Sequence, residues 1–109
     1  MKQINAYIAR HKFDAVACAL HRIKGLTGMS VFDRSGSGVS WAKTKIPEQI
    51  DLDSGLKLEI ICRDELVGTV IDAVEKAAHT GLRNDGKIYV LNIEQAVRIS
   101  TGERGEEAA

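Results

Sequence analysis

A chain of 109 residues can bury one modest hydrophobic core but not two, so we expect a single domain over 1–109. Its 15 basic residues balance its 15 acidic residues, which argues against nucleic acid and anionic membranes as partners. No apolar run approaches the roughly 18 residues of a membrane span, and the first residues lack a signal-peptide core. We therefore expect a cytoplasmic protein that does not insert directly into a membrane.

The first half of the chain predicts a strand, a helix and a second strand. Apolar and more polar residues alternate over 4–8, as in a strand with one buried face. Apolar residues then recur at helical spacing over 13–23, and Gly25 follows as a C-terminal stop. Cys18 falls opposite the apolar stripe of this helix, so we expect its thiol to be exposed. The second strand is predicted at about 29–34.

The second half repeats the pattern in the order strand, helix, strand. The third strand is predicted over 56–62, with alternate apolar residues on one face. Asp64 is a candidate N-cap for a helix over 67–78, and the fourth strand follows over 86–93. The order βαββαβ predicts an α+β fold, a ferredoxin-like sandwich of two helices on an antiparallel sheet.

Three segments fall outside this repeat. The loop between strands 2 and 3, over 37–54, is far longer than a hairpin requires. It holds the only tryptophan, Trp41, with Lys43 and Lys45 nearby, which suits a partner-binding loop, although Trp41 packing on its own subunit stays open. We also expect a short extra strand at 96–100 and a flexible tail over 102–109.

The turn before the fourth strand has two interpretations. Asn84, Asp85 and Gly86 form a strong turn signal, because these residue types tolerate left-handed backbone conformations. Successive backbone N–H groups in such a turn can also bind an anion, and Arg83 and Lys87 add positive charge. The local sequence leaves open an ordinary turn and a phosphate-binding turn. The histidines and cysteines have no metal-ligand spacing, so no metal site is predicted.

The segments TGLRNDGKIYV and VRISTGE resemble the second signature of the PII signal-transduction (nitrogen regulatory P-II) family. The similarity extends in order to the first strand, KFDAVACAL, LTGMSV and KLEI, and it covers almost the whole chain. It implies a homotrimer of ferredoxin-like subunits that binds an adenine nucleotide (ADP, ATP or AMP) in clefts between neighbours. It also implies a non-enzymatic regulator whose long loop controls a target protein, such as a membrane transporter.

The resemblance assigns site residues to two sides of the nucleotide. The adenine and ribose side comprises Ser30, Gly36, Glu59 and Ile60. The phosphate side comprises Gly38, Lys57, Asp85, Gly86, Lys87 and Arg98.

The chain also departs from the family pattern. Ser40 stands where the family has a metal-binding glutamine, and Gly55 where it has the lysine that pairs with 2-oxoglutarate. Asn84 replaces a glycine, Ser100 replaces a second arginine, and the loop has no tyrosine. These departures indicate a divergent, PII-like member that binds its adenine nucleotide without requiring a metal and does not respond to 2-oxoglutarate.

Two other functions are weighed against this one. The alternative is a metal-linked trimer, either CutA-like or a PII-like relative associated with metal tolerance or efflux. A weak nucleotide hydrolase ranks last, because no residue is an evident general base beside a water site.

Overall fold

The computed structural model describes residues 1–36, 53–82 and 85–108. Within these ranges, three short 3₁₀ helices, Arg10–Lys12, Asp64–Leu66 and Gly105–Ala108, accompany the main elements. The predicted βαββαβ order and ferredoxin-like α+β fold are confirmed. The main elements are β1 (Lys2–Ile8), α1 (Phe13–His21), β2 (Ser30–Gly36), β3 (Asp53–Cys62), α2 (Val67–Ala78) and β4 (Gly86–Asn92).

The four strands form one antiparallel sheet in the order β2-β3-β1-β4. β1 is central, and its Ile8 lies opposite Leu56 of β3 and Gly86 of β4. Alternate residues of β1 and β3 are buried against the helices, as their spacing predicted. The core lies between this face and the two helices; it consists of Ile4, Ala6, Ile8, Val16, Leu20, Leu56, Leu58, Ile60, Cys62, Val70, Val74 and Ala78.

The two helices contribute the outer layer of the core. Val16 and Leu20 are the buried residues of α1, whereas Cys18 is exposed, as predicted. Gly25 follows the helix with φ of +92°, a conformation that glycine adopts without steric cost. None of the helices in the described ranges is long and apolar enough to cross a membrane.

Asp64 is not the N-cap of α2. It begins the 3₁₀ turn that precedes the helix, and the position before α2 is Leu66, which makes no side-chain capping bond. The Asp64 carboxylate instead accepts a hydrogen bond from the amino group of Met1 at 2.5 Å. A full positive charge is a stronger partner for a carboxylate than a backbone N–H, and this bond holds the pKa of Asp64 below its usual value.

The extra strand predicted at 96–100 is reduced to one bridge between Val97 and Arg104. The segment turns back immediately: Arg98 N–H donates to the Glu103 carbonyl at 2.8 Å, and Gly102 N–H to the Arg98 carbonyl at 2.7 Å. Such a tight turn leaves no room for a longer ladder.

The sheet face opposite the helices carries aromatic and charged side chains. Tyr7 and Tyr89 meet edge to face, with ring centroids 5.9 Å apart, and the Arg34 guanidinium lies 5.5 Å from the Tyr7 ring centre. Phe32 and Tyr89, on β2 and β4, are 46% and 50% exposed. This face therefore presents large apolar groups that neither helix covers.

Candidate functional site

The turn leading into β4 depends on glycine at position 86. Gly86 has φ of +120°, and a Cβ built on it would lie 1.7 Å from the carbonyl oxygen of Tyr7 in β1. No side chain fits there, because the strand pairing at Ile8 brings the two backbones together. Glycine here serves the close approach of β4 to β1, in addition to any role toward a ligand.

A pocket of about 430 Å³ opens beside this turn. Its floor is apolar and is formed by β1, α2 and β4, whereas its rim carries two carboxylates, an imidazole and an ammonium group. The lining residues are Tyr7, Ile8, Ile71, Val74, Glu75, Ala78, His79, Asp85, Gly86, Lys87 and Ile88. The predicted phosphate-side residues Asp85, Gly86 and Lys87 thus share one concave surface.

Asp85 is the most highly connected group of this rim. Its Oδ2 accepts a hydrogen bond from the Gly81 N–H at 3.2 Å and lies 2.9 Å from Nδ1 of His79. Desolvation works to raise the pKa of Asp85, but backbone hydrogen bonds from Thr80, Gly81 and Leu82 and the nearby His79 together lower it. The other oxygen, Oδ1, is buried without a hydrogen-bond partner among the described residues.

The predicted adenine-side residues belong to β2 and β3. Ser30 pairs with Glu59, and Lys57 and Glu59 project from the face opposite the helices, as predicted. Lys57 Nζ lies 2.8 Å from Glu59 Oε2, and this hydrogen bond raises the pKa of Lys57 against the smaller effect of desolvation. The side chain of Ile60 is buried in the core, so it is not available to a ligand on the open face.

The structure separates the predicted site residues into three places. Ser30 lies on the edge strand β2 and Glu59 opposite it on β3, whereas Lys87 lies on β4 at the other edge of the sheet. Arg98 comes after the far end of β4, a strand of seven residues that spans about 20 Å. One subunit therefore does not bring Lys87 and Arg98 onto the same phosphate.

Arg98 is held by the segment that follows it. Its guanidinium lies 4.0 Å from the Glu103 carboxylate and donates to the Glu107 carbonyl at 3.5 Å. These contacts hold the predicted phosphate ligand within the turn that follows β4.

Some predicted residues lie outside the described ranges, and one described residue was missed. Gly38 and the predicted partner-binding residues Trp41, Lys43 and Lys45 fall within 37–52, which the structure does not describe. The missed residue is His79, one of the histidines without metal-ligand spacing, to which the sequence assigned no role. Its separation of six positions from Asp85 was the available signal. In the described ranges, no group of three or more His, Cys, Asp or Glu residues is placed to hold a metal ion.

Comparison with known proteins identifies the family. The family model described as nitrogen regulatory protein P-II matches residues 1–103. The chain is 39% identical to the nitrogen regulatory protein P-II of Azospirillum brasilense and 42% identical to that of Rhodospirillum rubrum, each over 112 aligned residues and 99% of both chains. The protein of the same name from Bradyrhizobium diazoefficiens is 41% identical over the same span. The chain therefore belongs to the nitrogen regulatory protein P-II family, whose members are signal-transduction regulators of target proteins rather than enzymes.

Proposed function

We propose that this protein is a signalling regulator that binds an adenine nucleotide between the subunits of a homotrimer. The observation that carries the proposal is the placement of the predicted ligands at opposite edges of one sheet, near β2 and near β4. A neighbouring copy can supply the missing half of each site, so that an edge with Ser30 and Glu59 meets an edge with Asp85, Gly86 and Lys87.

Each half suits a different part of a nucleotide. The turn at Gly86 offers backbone N–H groups together with the ammonium group of Lys87, and both are donors suited to phosphate. The hydroxyl of Ser30 can donate a hydrogen bond to a ribose or a base or accept one from it, and the carboxylate of Glu59 can accept one. Arg98 would supply a further cation from the segment after β4.

The uncovered sheet face supports the oligomer. Phe32, Tyr89 and Leu91 are each 45–50% exposed on this face, and their burial stabilises an interface by roughly 25 cal/mol per Å² of apolar area. Multi-angle light scattering should give the mass of three chains at micromolar concentration. A mass of one chain would contradict the trimer.

Calorimetric titration with AMP, ADP and ATP, each with and without magnesium, tests nucleotide binding. Lys87→Ala should weaken binding about tenfold to a hundredfold, because a charge-assisted contact contributes about 1.5–3 kcal/mol. Lys76→Ala removes an exposed lysine from α2 and serves as the matched control. The absence of binding heat with any adenylate in folded wild type would refute the proposal. A parallel titration with divalent metal ions tests the metal-linked alternative.

We further propose that the segment around Trp41 carries the output to a target protein, such as a membrane transporter, in the cytoplasm where adenylates are abundant. Lys43 and Lys45 beside this tryptophan suit an acidic partner surface. Nucleotide would act by favouring one conformation of the segment. Because Trp41 is the only tryptophan, its fluorescence emission reports on this segment alone. Emission that does not change on addition of nucleotide and is protected from quenchers would contradict the proposal.

A further inference from the structure

The pocket beside Gly86 carries negative charges that would repel a phosphate ligand. Its rim carries the carboxylates of Glu75 and Asp85, and Lys87 is the one permanent cation among the described lining residues. A nucleotide phosphate brings further negative charge. Like charges at close range disfavour binding unless a nearby cation offsets them.

His79 is placed to supply that offset. It is the C-cap residue of α2, where a positive charge interacts favourably with the helix dipole, and its Nδ1 lies 2.9 Å from Oδ2 of Asp85. The same carboxylate oxygen accepts the Gly81 N–H at 3.2 Å. The Asp85 carboxylate thus connects the end of α2 to the residues that directly precede Gly86 and Lys87.

We propose that His79 is a positioning residue for phosphate binding: its imidazolium pairs with Asp85, holds this carboxylate against the Gly81 N–H beside Gly86 and Lys87, and makes nucleotide affinity rise as the pH falls. This inference rests on the proposed nucleotide site. His79 acts through Asp85 and does not itself contact the ligand.

The direction of the pH effect follows from the groups around the pocket. They are Glu75 on α2, Tyr7 on β1, Asp85 in the turn and Lys87 on β4. Carboxyl groups ordinarily titrate below pH 6, and phenol and ammonium groups above pH 8, whereas an imidazole changes its charge between pH 5 and 8. An imidazolium at His79 therefore adds a positive charge to the pocket that a neutral imidazole does not.

The first test is calorimetric titration of ADP at pH 6 and pH 8. The ligand phosphate also titrates in this range, so the informative quantity is the difference between wild type and His79→Gln. Wild type should gain about twofold to fivefold more affinity on acidification than His79→Gln, since an exposed ion pair contributes on that scale. His79→Lys, which keeps a cation at both pH values, should bind tightly at both.

His21→Gln is the matched control, because His21 is an exposed histidine at the end of α1 and does not line this pocket. Its pH dependence should equal that of wild type. Equal pH dependence in wild type and His79→Gln would overturn the inference while leaving nucleotide binding intact.

A second measurement needs no nucleotide. In ¹⁵N-edited spectra of the free protein, the amide shift of Gly81 should change between pH 5 and pH 8 in wild type and lose that transition in His79→Gln. If wild type fails to bind ADP, the proposed function fails, and the Gly81 amide still decides whether His79 positions the turn. If the Gly81 amide shift depends on pH in the same way in wild type and in His79→Gln, that role is refuted.

Discussion

Replacement of Gly86 by alanine should destabilise the protein by about 2–3 kcal/mol. The new Cβ would meet the Tyr7 carbonyl oxygen at 1.7 Å and its carbon at 2.8 Å, and both atoms belong to the backbone of the central strand. A side chain at positive φ costs about 1–2 kcal/mol, and displacement of β4 from Ile8 sacrifices a ladder hydrogen bond worth about 0.5–1.5 kcal/mol.

The assay is urea-induced unfolding followed by far-ultraviolet circular dichroism at one fixed protein concentration, since the stability of an oligomer depends on concentration. Gly102→Ala is the matched control. Gly102 also has positive φ, at +76°, but a Cβ there would meet no heavy atom within 4 Å. Gly102→Ala therefore reports the conformational cost without the steric overlap. If Gly86→Ala loses no more stability than Gly102→Ala, the argument from close strand approach is wrong.

Three further outcomes are expected. Arg98→Ala should weaken ADP binding about tenfold or more in calorimetric titrations, with partial recovery in Arg98→Lys. The pKa of Asp85 is lower in the folded than in the unfolded protein, so its ionised carboxylate stabilises the fold above about pH 4. This contribution is lost as the pH falls through the folded-state pKa. In urea unfolding, Asp85→Asn should therefore be less stable than wild type at pH 7 and approach it at pH 3. 2-Oxoglutarate should change the affinity of wild type for magnesium ATP less than tenfold. Gly55→Lys should not create sensitivity to 2-oxoglutarate, because a Cβ at Gly55 would lie 2.6 Å from the Ile8 carbonyl oxygen. A tenfold gain in affinity for magnesium ATP in either protein would contradict this interpretation of Gly55.

The sequence was sufficient to predict the elements whose residues alternate between core and solvent. The period of two over 4–8 and 56–62, and the helical period over 67–78, correspond directly to the buried faces of β1, β3 and α2. Burial of apolar area decides these elements locally, so the pattern alone was enough.

Features that depend on residues far apart in the chain were harder to predict from the sequence. Asp64 had the residue type of an N-cap, but the Met1 amino group, 63 positions away in the chain, takes its carboxylate. The predicted nucleotide ligands likewise had the expected types and spacing, yet no local pattern reveals that Ser30 and Lys87 lie at opposite edges of the sheet. That separation depends on strand order, which is set by the packing of the whole domain.

The register of β2 with β3 has a consequence for the segment between these two strands. Pairing continues to Gly36 and Asp53, the last residues before and after the intervening segment, so the ladder holds both ends of that segment together whatever lies between them. Doubling its length would cost only about 0.6 kcal/mol of closure entropy. Insertions, deletions or an entirely new sequence between Gly36 and Asp53 should thus change the free energy of unfolding only slightly. Under the proposed function, a lineage can therefore exchange one target protein for another in this segment while the nucleotide-binding residues on the sheet stay unchanged.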